Sequence, residues 1–133
     1  MLVSLRVVYL LDWAPTRMLN SPVTLIVDEG NVKEILGDEE FADQLRKKLK
    51  ERKENCNIAE LGVGTNSMAK RPDNILESEK IMGTIHIALG DNSSFGGNIK
   101  TPFHQDFVFF KPTVVLIGKD KSRTFLMKKG RFV

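Results

Sequence analysis

The stretch TIHIALGDNSSFGGNIKTPFHQDFVFF, residues 84–110, decides the fold. It opens and closes on runs dense in β-branched, aliphatic and aromatic residues, TIHIALG and HQDFVFF, which read as two strands. Between them lies a polar segment carrying Gly90, Gly96 and Gly97, which reads as a long loop over residues 90–102. Both histidines of the chain, His86 and His104, fall on the strands. Residues two apart in a strand point to the same face, so His104 and Asp106 project together, with Gln105 opposite. His86 shares a face with the small residues Thr84 and Ala88, which leave room beside its ring.

Working outward, CNIAELGVG (56–64) reads as a further strand, in which Glu60 interrupts an apolar run. A carboxylate in a strand otherwise fit for burial needs a partner, because an unpaired buried charge is expensive. Upstream, LVSLRVVYLL (2–11) predicts a first strand, and VTLIVDEGNVKEILG (23–37) a hairpin turning at residues 28–31. Asp38 is expected to cap a helix running to about Lys53. Glu39 and Glu40 sit in its first turn, Lys47, Lys48, Lys50, Arg52 and Lys53 late in it, and Phe41, Leu45 and Leu49 form its apolar stripe. TNSMAKRPDN (65–74) is a polar loop, ILESEKIMG (75–83) a short helical turn or loop, and TVVLIGK and RTFLMKKGRFV closing strands. Strands, then a helix, then more strands predict an α+β fold with mostly antiparallel or mixed sheet and one main helix, in a single domain over residues 1–133.

Totals bound the function classes. At 133 residues with 41% hydrophobic and 28% charged residues, the chain has the composition of a globular domain rather than a disordered one. A net charge of +3 does not identify a polyanion partner. Residues 111–133 carry seven Lys or Arg against one Asp; lysine-guarded edge strands account for that, so nucleic acid is not an expected partner. Cys56 is the only cysteine, which excludes an intrachain disulfide and fits a reducing compartment. The apolar N-terminal run is broken by Arg6 and is shorter than the ~20 residues of a bilayer span. A cytoplasmic location with no membrane partner is the expectation.

Two imidazoles with the carboxylates Glu60 and Asp106 suit zinc, manganese or cobalt, and paired carboxylates can bridge two ions. Glu79 is a further acid, available as a general base. The spacing alone leaves two readings open: a metal site, or two histidines satisfied by ordinary partners.

NIAELGVGTN (57–66), ILESEKIMGTIHIALGDNSSFGG (75–97) and TPFHQDFVFFKPTVVLIGK (101–119) together resemble the C-terminal part of the aminopeptidase T family, leucyl-aminopeptidase-like metallopeptidases with a two-metal site. The resemblance runs from about residue 21 to the C-terminus. It implies metal-dependent hydrolysis of N-terminal peptide bonds. Glu60, His86, His104 and Asp106 are the implied ligands of one or two zinc, cobalt or manganese ions, and Glu79 is the implied catalytic base or a further ligand. Peptide N-termini are the implied substrate. The family's N-terminal domain and one ligand glutamate have no counterpart here, which makes a truncated, catalytically inactive module for self-assembly or partner binding the alternative, with a homo-oligomer expected.

Overall fold

The structure, a computed structural model, describes residues 7–15 and 17–133. The first sheet holds β1 (Val7–Trp13), β2 (Met18–Asp28) and β3 (Asn31–Leu36), in that spatial order. The expected hairpin turns at Glu29 and Gly30, whose φ values of 51° and 74° match the paired positive dihedrals of a tight two-residue turn. Along β2, Leu19, Val23, Leu25 and Val27 are buried while Met18, Asn20, Pro22 and Asp28 are exposed, so one face of the sheet is committed to the core. The first half of the expected N-terminal strand, residues 2–6, lies outside the described residues.

Helix α1 spans Glu40–Glu51 and buries Phe41, Ala42, Leu45 and Leu49, the i, i+4, i+8 stripe widened by one alanine. Its cap is Glu39, not Asp38, and it stops two residues short of Lys53, where a 3-10 turn (Lys53–Cys56) begins. Partners explain the exchange. Glu39 accepts from the backbone N–H groups of Phe41 (3.2 Å) and Asn20 (3.1 Å) and takes both arms of the Arg17 guanidinium at 3.0 and 3.1 Å. Asp38 instead accepts from the Ser21 hydroxyl at 3.1 Å. A buried carboxylate with four donors outcompetes a shorter one with a single exposed donor.

The second sheet holds β4 (Ile58–Val63), β5 (Thr84–Gly90) and β6 (His104–Phe110), all antiparallel. A short helix α2 (Ile75–Ser78) lies in the connection from β4 to β5. One face of this sheet joins the core formed with the first sheet and α1. Ile87, Leu89 and Phe107 are fully buried there, and the Phe107 ring meets Phe41 edge-on at 6.0 Å. Each such side chain contributes about 1.5–3 kcal/mol by leaving water. Buried Asn55 ties the helix end to the long loop: its Nδ2 donates to the Lys48 carbonyl (2.7 Å), and its Oδ1 accepts from the Thr101 hydroxyl (2.6 Å). A third antiparallel sheet holds β7 (Val114–Ile117), β8 (Arg123–Lys128) and β9 (Arg131–Phe132), the last two joined through Lys129 and Gly130. The broad α+β expectation, antiparallel sheet with one main helix, describes this architecture; nothing in the element order by itself ties it to the C-terminal domain of aminopeptidase T-like enzymes. No helix among the described residues is long and apolar enough to cross a membrane.

Candidate metal centre

Cross-strand register brings the acids and histidines together. Glu60 on β4, Ala88 on β5 and Asp106 on β6 stand in one row across the second sheet. Gly62, His86 and Val108 form the next row on the same face, and Gly90 opposes His104 on the far side. Glu60, His86, His104 and Asp106 therefore share the face turned away from Ile87 and Phe107.

Two local devices make this face. The first is a bulge. Ile58 pairs with Leu89 and Glu60 with Ala88, so two steps along β4 answer one along β5. In a regular strand Ile58 and Glu60 would point the same way. The inserted residue lets Ile58 enter the core, 8% exposed, while Glu60 faces its opposite side. The second is a floor of small residues. A Cβ at Gly62 would stand 2.0 Å from Cε1 and 2.3 Å from Nε2 of His86, so the imidazole lies directly over the glycine backbone.

The donor atoms converge. His86, buried among its neighbours, donates from Nε2 to Oε1 of Glu60 at 3.0 Å. His104 Nε2 lies 3.6 Å from the other Glu60 oxygen and 3.7 Å from Oδ2 of Asp106. One ligand atom each from Glu60, His86 and Asp106 falls within 4.8 Å of the others. His104 presents Nε2 because its Nδ1–H donates to the Asp91 backbone carbonyl at 2.8 Å, which fixes the tautomer and the ring plane. Asp91 is held in turn: its carboxylate accepts from the Ser93 hydroxyl (2.7 Å), the Ser93 N–H (2.9 Å) and the Thr101 N–H (3.0 Å). Those bonds, led by the Ser93 hydroxyl, hold the Asp91 carboxyl below its usual range. His86 Nδ1 is the buried side-chain polar atom without a hydrogen-bond partner among the described residues.

Burial pushes the Asp106 carboxyl up; His104 opposes that, and the nearby Glu60 and Glu79 reinforce it. Glu60 and Asp106 on one face, with Glu79 nearby, repel, and a divalent cation relieves that repulsion directly. Two imidazoles and two carboxylates are donors that divalent transition metals accept, and a triad of Glu60, His86 and Asp106 is compatible with a divalent ion. An open cleft of about 400 Å³ adjoins the cluster, lined by Glu60 and His86 and by Thr65, Asn66, Glu79 and Lys80. Glu79 thus reaches the same cleft but stands outside the triad, paired with Lys80 at 2.8 Å. The Lys80 ammonium also donates to the Leu76 carbonyl.

Sequence reading singled out Glu60, His86, His104, Asp106 and Glu79: Glu60, His86 and Glu79 line this cleft, and His104 and Asp106 lie next to Glu60 on the sheet face. It missed Gly62, which seats His86, and Asp91, which orients His104. The DNSS tetrad at 91–94, an Asp followed two residues later by a serine donor, is the signal that marks the second.

No protein-family model matches the chain, and no curated protein does. A solved structure does: that of 2,5-dihydroxypyridine dioxygenase from Pseudomonas putida KT2440 superposes with a TM-score of 0.79 at 23% sequence identity, over 96% of this chain and 40% of that one. Identity at that level shows likeness of fold, and the chain spans well under half the length of the structure it matches. The aminopeptidase T assignment does not stand against this. The fold is matched by a dioxygenase chain, and no family model ties the sequence to a peptidase. The hydrolase and proteolysis readings fall with it, and the alternative of an inactive module for self-assembly gains no support from the comparison. The ligands that the resemblance implied, Glu60, His86, His104 and Asp106, are donor residues on a sheet face, and donors alone do not distinguish hydrolysis from other metal chemistry.

Proposed function

We propose that this chain carries a mononuclear iron(II) centre held by His86, His104 and Asp106, with Glu60 as a fourth ligand and second carboxylate, and that it belongs to oxidative cleavage of a hydroxylated aromatic ring. The observation that carries the reading is the convergence of two imidazole Nε2 atoms with carboxylate oxygens on one sheet face. Two histidines and one carboxylate are the donor set of non-haem iron oxygenases. The dioxygenase chain of like fold supports the same class, and because the match covers 40% of that chain the activity is a proposal for this one.

When bound, the ion supplies Lewis acidity and one-electron chemistry. The rest belongs to the chain. Asp106 and Glu60 offset the ion's charge. Asp91 holds His104 in the donor tautomer through its carbonyl, and Gly62 keeps the His86 ring low against the sheet. Glu79, steadied by Lys80, takes the proton of a substrate hydroxyl, and Lys80 balances the oxyanion left behind. A cytoplasmic setting belongs to this reading, since there iron(II) and the free Cys56 thiol both stay reduced.

The test is anaerobic titration with iron(II), followed by oxygen uptake in the presence of 2,5-dihydroxypyridine or a dihydroxybenzene. One ion per chain, lost in His86→Ala, with ring-dependent oxygen uptake, is the expected result. Failure to bind any divalent ion overturns the whole reading; binding without ring-dependent uptake overturns its oxygenase half.

A further inference from the structure

The loop over residues 91–101 is built more firmly than its composition of glycine, serine and asparagine implies. Beyond the three bonds to the Asp91 carboxylate, Oδ1 of Asn92 accepts from the Ile99 N–H at 3.0 Å, and its backbone carbonyl accepts from the Gly97 N–H at 3.0 Å. On this framework a 3-10 turn (Ser93–Phe95) holds Phe95 with 62% of its surface in water, outside the core. Its ring centroid lies 6.1 Å from that of His104, with the planes 35° apart. The same loop therefore fixes the donor tautomer of His104 and sets an exposed aromatic face beside it.

We infer that Phe95 is a substrate-positioning residue: the platform on which a planar aromatic ring stacks while its oxygen substituents meet the metal centre. The inference rests on the metal reading above and names its substrate class. Geometry favours it over a packing role. Aromatic pairs attract at centroid separations of roughly 4.5–7 Å. Phe95 stands at that range from the His104 ring and keeps most of its surface free, so a ring bound on the His104 side of the donors would be brought against it. A flat ring covers an exposed phenyl group and sheds water from both, whereas an aliphatic chelator leaves it wet.

The test uses the full chain loaded with zinc, which holds the donor geometry without oxygen chemistry, and reads two probes: 4-nitrocatechol, by its absorbance change on binding, and acetohydroxamate, a non-aromatic chelator, by calorimetry. Phe95→Ala is expected to weaken 4-nitrocatechol about 5-fold or more, and Phe95→Trp to restore it. Zinc and acetohydroxamate affinities are expected to stay within about 2-fold in both variants. Equal 4-nitrocatechol affinity in wild type and Phe95→Ala, equal weakening of both probes, or no 4-nitrocatechol binding to zinc-loaded wild type overturns the inference and leaves the metal centre standing. No zinc binding to wild type overturns the metal reading itself, and the inference with it.

Discussion

Placing one methyl group under His86 tests the geometry of the centre without touching a donor. In Gly62→Ala the new Cβ would lie 2.0 Å from Cε1, 2.3 Å from Nε2 and 2.8 Å from Nδ1 of the imidazole. Ordinary contact begins at 3.4 Å, so the ring has to retreat by about 1.4 Å or swing aside. Metal–imidazole bonds run near 2.0–2.1 Å and tolerate deviations of about 0.2 Å, so a displacement of that size takes His86 out of the shell. Loss of an outer-shell partner costs roughly 10–100-fold in affinity, and removal of a ligand is expected to reach or exceed the upper end, about 100-fold. Overpacking costs about 1–3 kcal/mol of folding stability, which leaves a protein to assay. Calorimetric titration with zinc or manganese reads the affinity, and thermal melting reads the fold. Leu61→Ala is the control: its side chain points to the other face of the same strand, 60% exposed, and should leave metal binding unchanged. Wild-type affinity in Gly62→Ala would refute the reasoning, because it would mean that His86 is not a ligand or that its position over the glycine does not matter.

Asp91→Ala removes the acceptor that fixes the 91–101 loop; His104 then loses its firm carbonyl partner, and metal affinity should drop about 10–100-fold, with cleavage by a nonspecific protease appearing within the loop. An unchanged affinity would show that His104 is oriented by something else. Acid stability offers a check on the fold. The Arg17 guanidinium, with the Asn20 and Phe41 N–H groups, holds the Glu39 carboxyl down to about 2 from an ordinary 4.5. Its stabilising effect is therefore full above pH 4.5 and fades as pH falls toward 2. Glu39→Gln should be less stable than wild type in urea melts at pH 7, and the gap should shrink steadily between pH 4.5 and 2. A gap that stays constant across that window would mean that the carboxylate's charge is not what caps α1.

Strand parity makes much of the site legible in the sequence alone. His104 and Asp106 share a face because they are two apart, and His86 sits among small neighbours because the sequence reads Thr84 and Ala88 around it. The helix is legible from Phe41, Leu45 and Leu49, but its cap is not: Asp38 and Glu39 both suit the position, and only the distant Arg17 decides between them. Parity misleads at Ile58 and Glu60, since it gives them one face, and the bulge that separates them shows only in the pairing with Leu89 and Ala88. The Asp91 carbonyl on His104 is a backbone group, which any residue type supplies, so the DNSS tetrad marks the turn but not its contact with His104. The reaction class is the least legible of all. Histidines and acids on a sheet face specify donors, while what those donors act upon depends on the cleft, the loop carrying Phe95 and the ion they hold.

Diffraction from crystals of the iron- or manganese-loaded protein, with anomalous data collected at the metal edge, addresses the centre most directly. A single anomalous peak about 2.0–2.3 Å from the Nε2 atoms of His86 and His104 and from oxygens of Asp106 and Glu60 is the predicted result. A peak at any other place on the chain, or none at full metal loading, would contradict it.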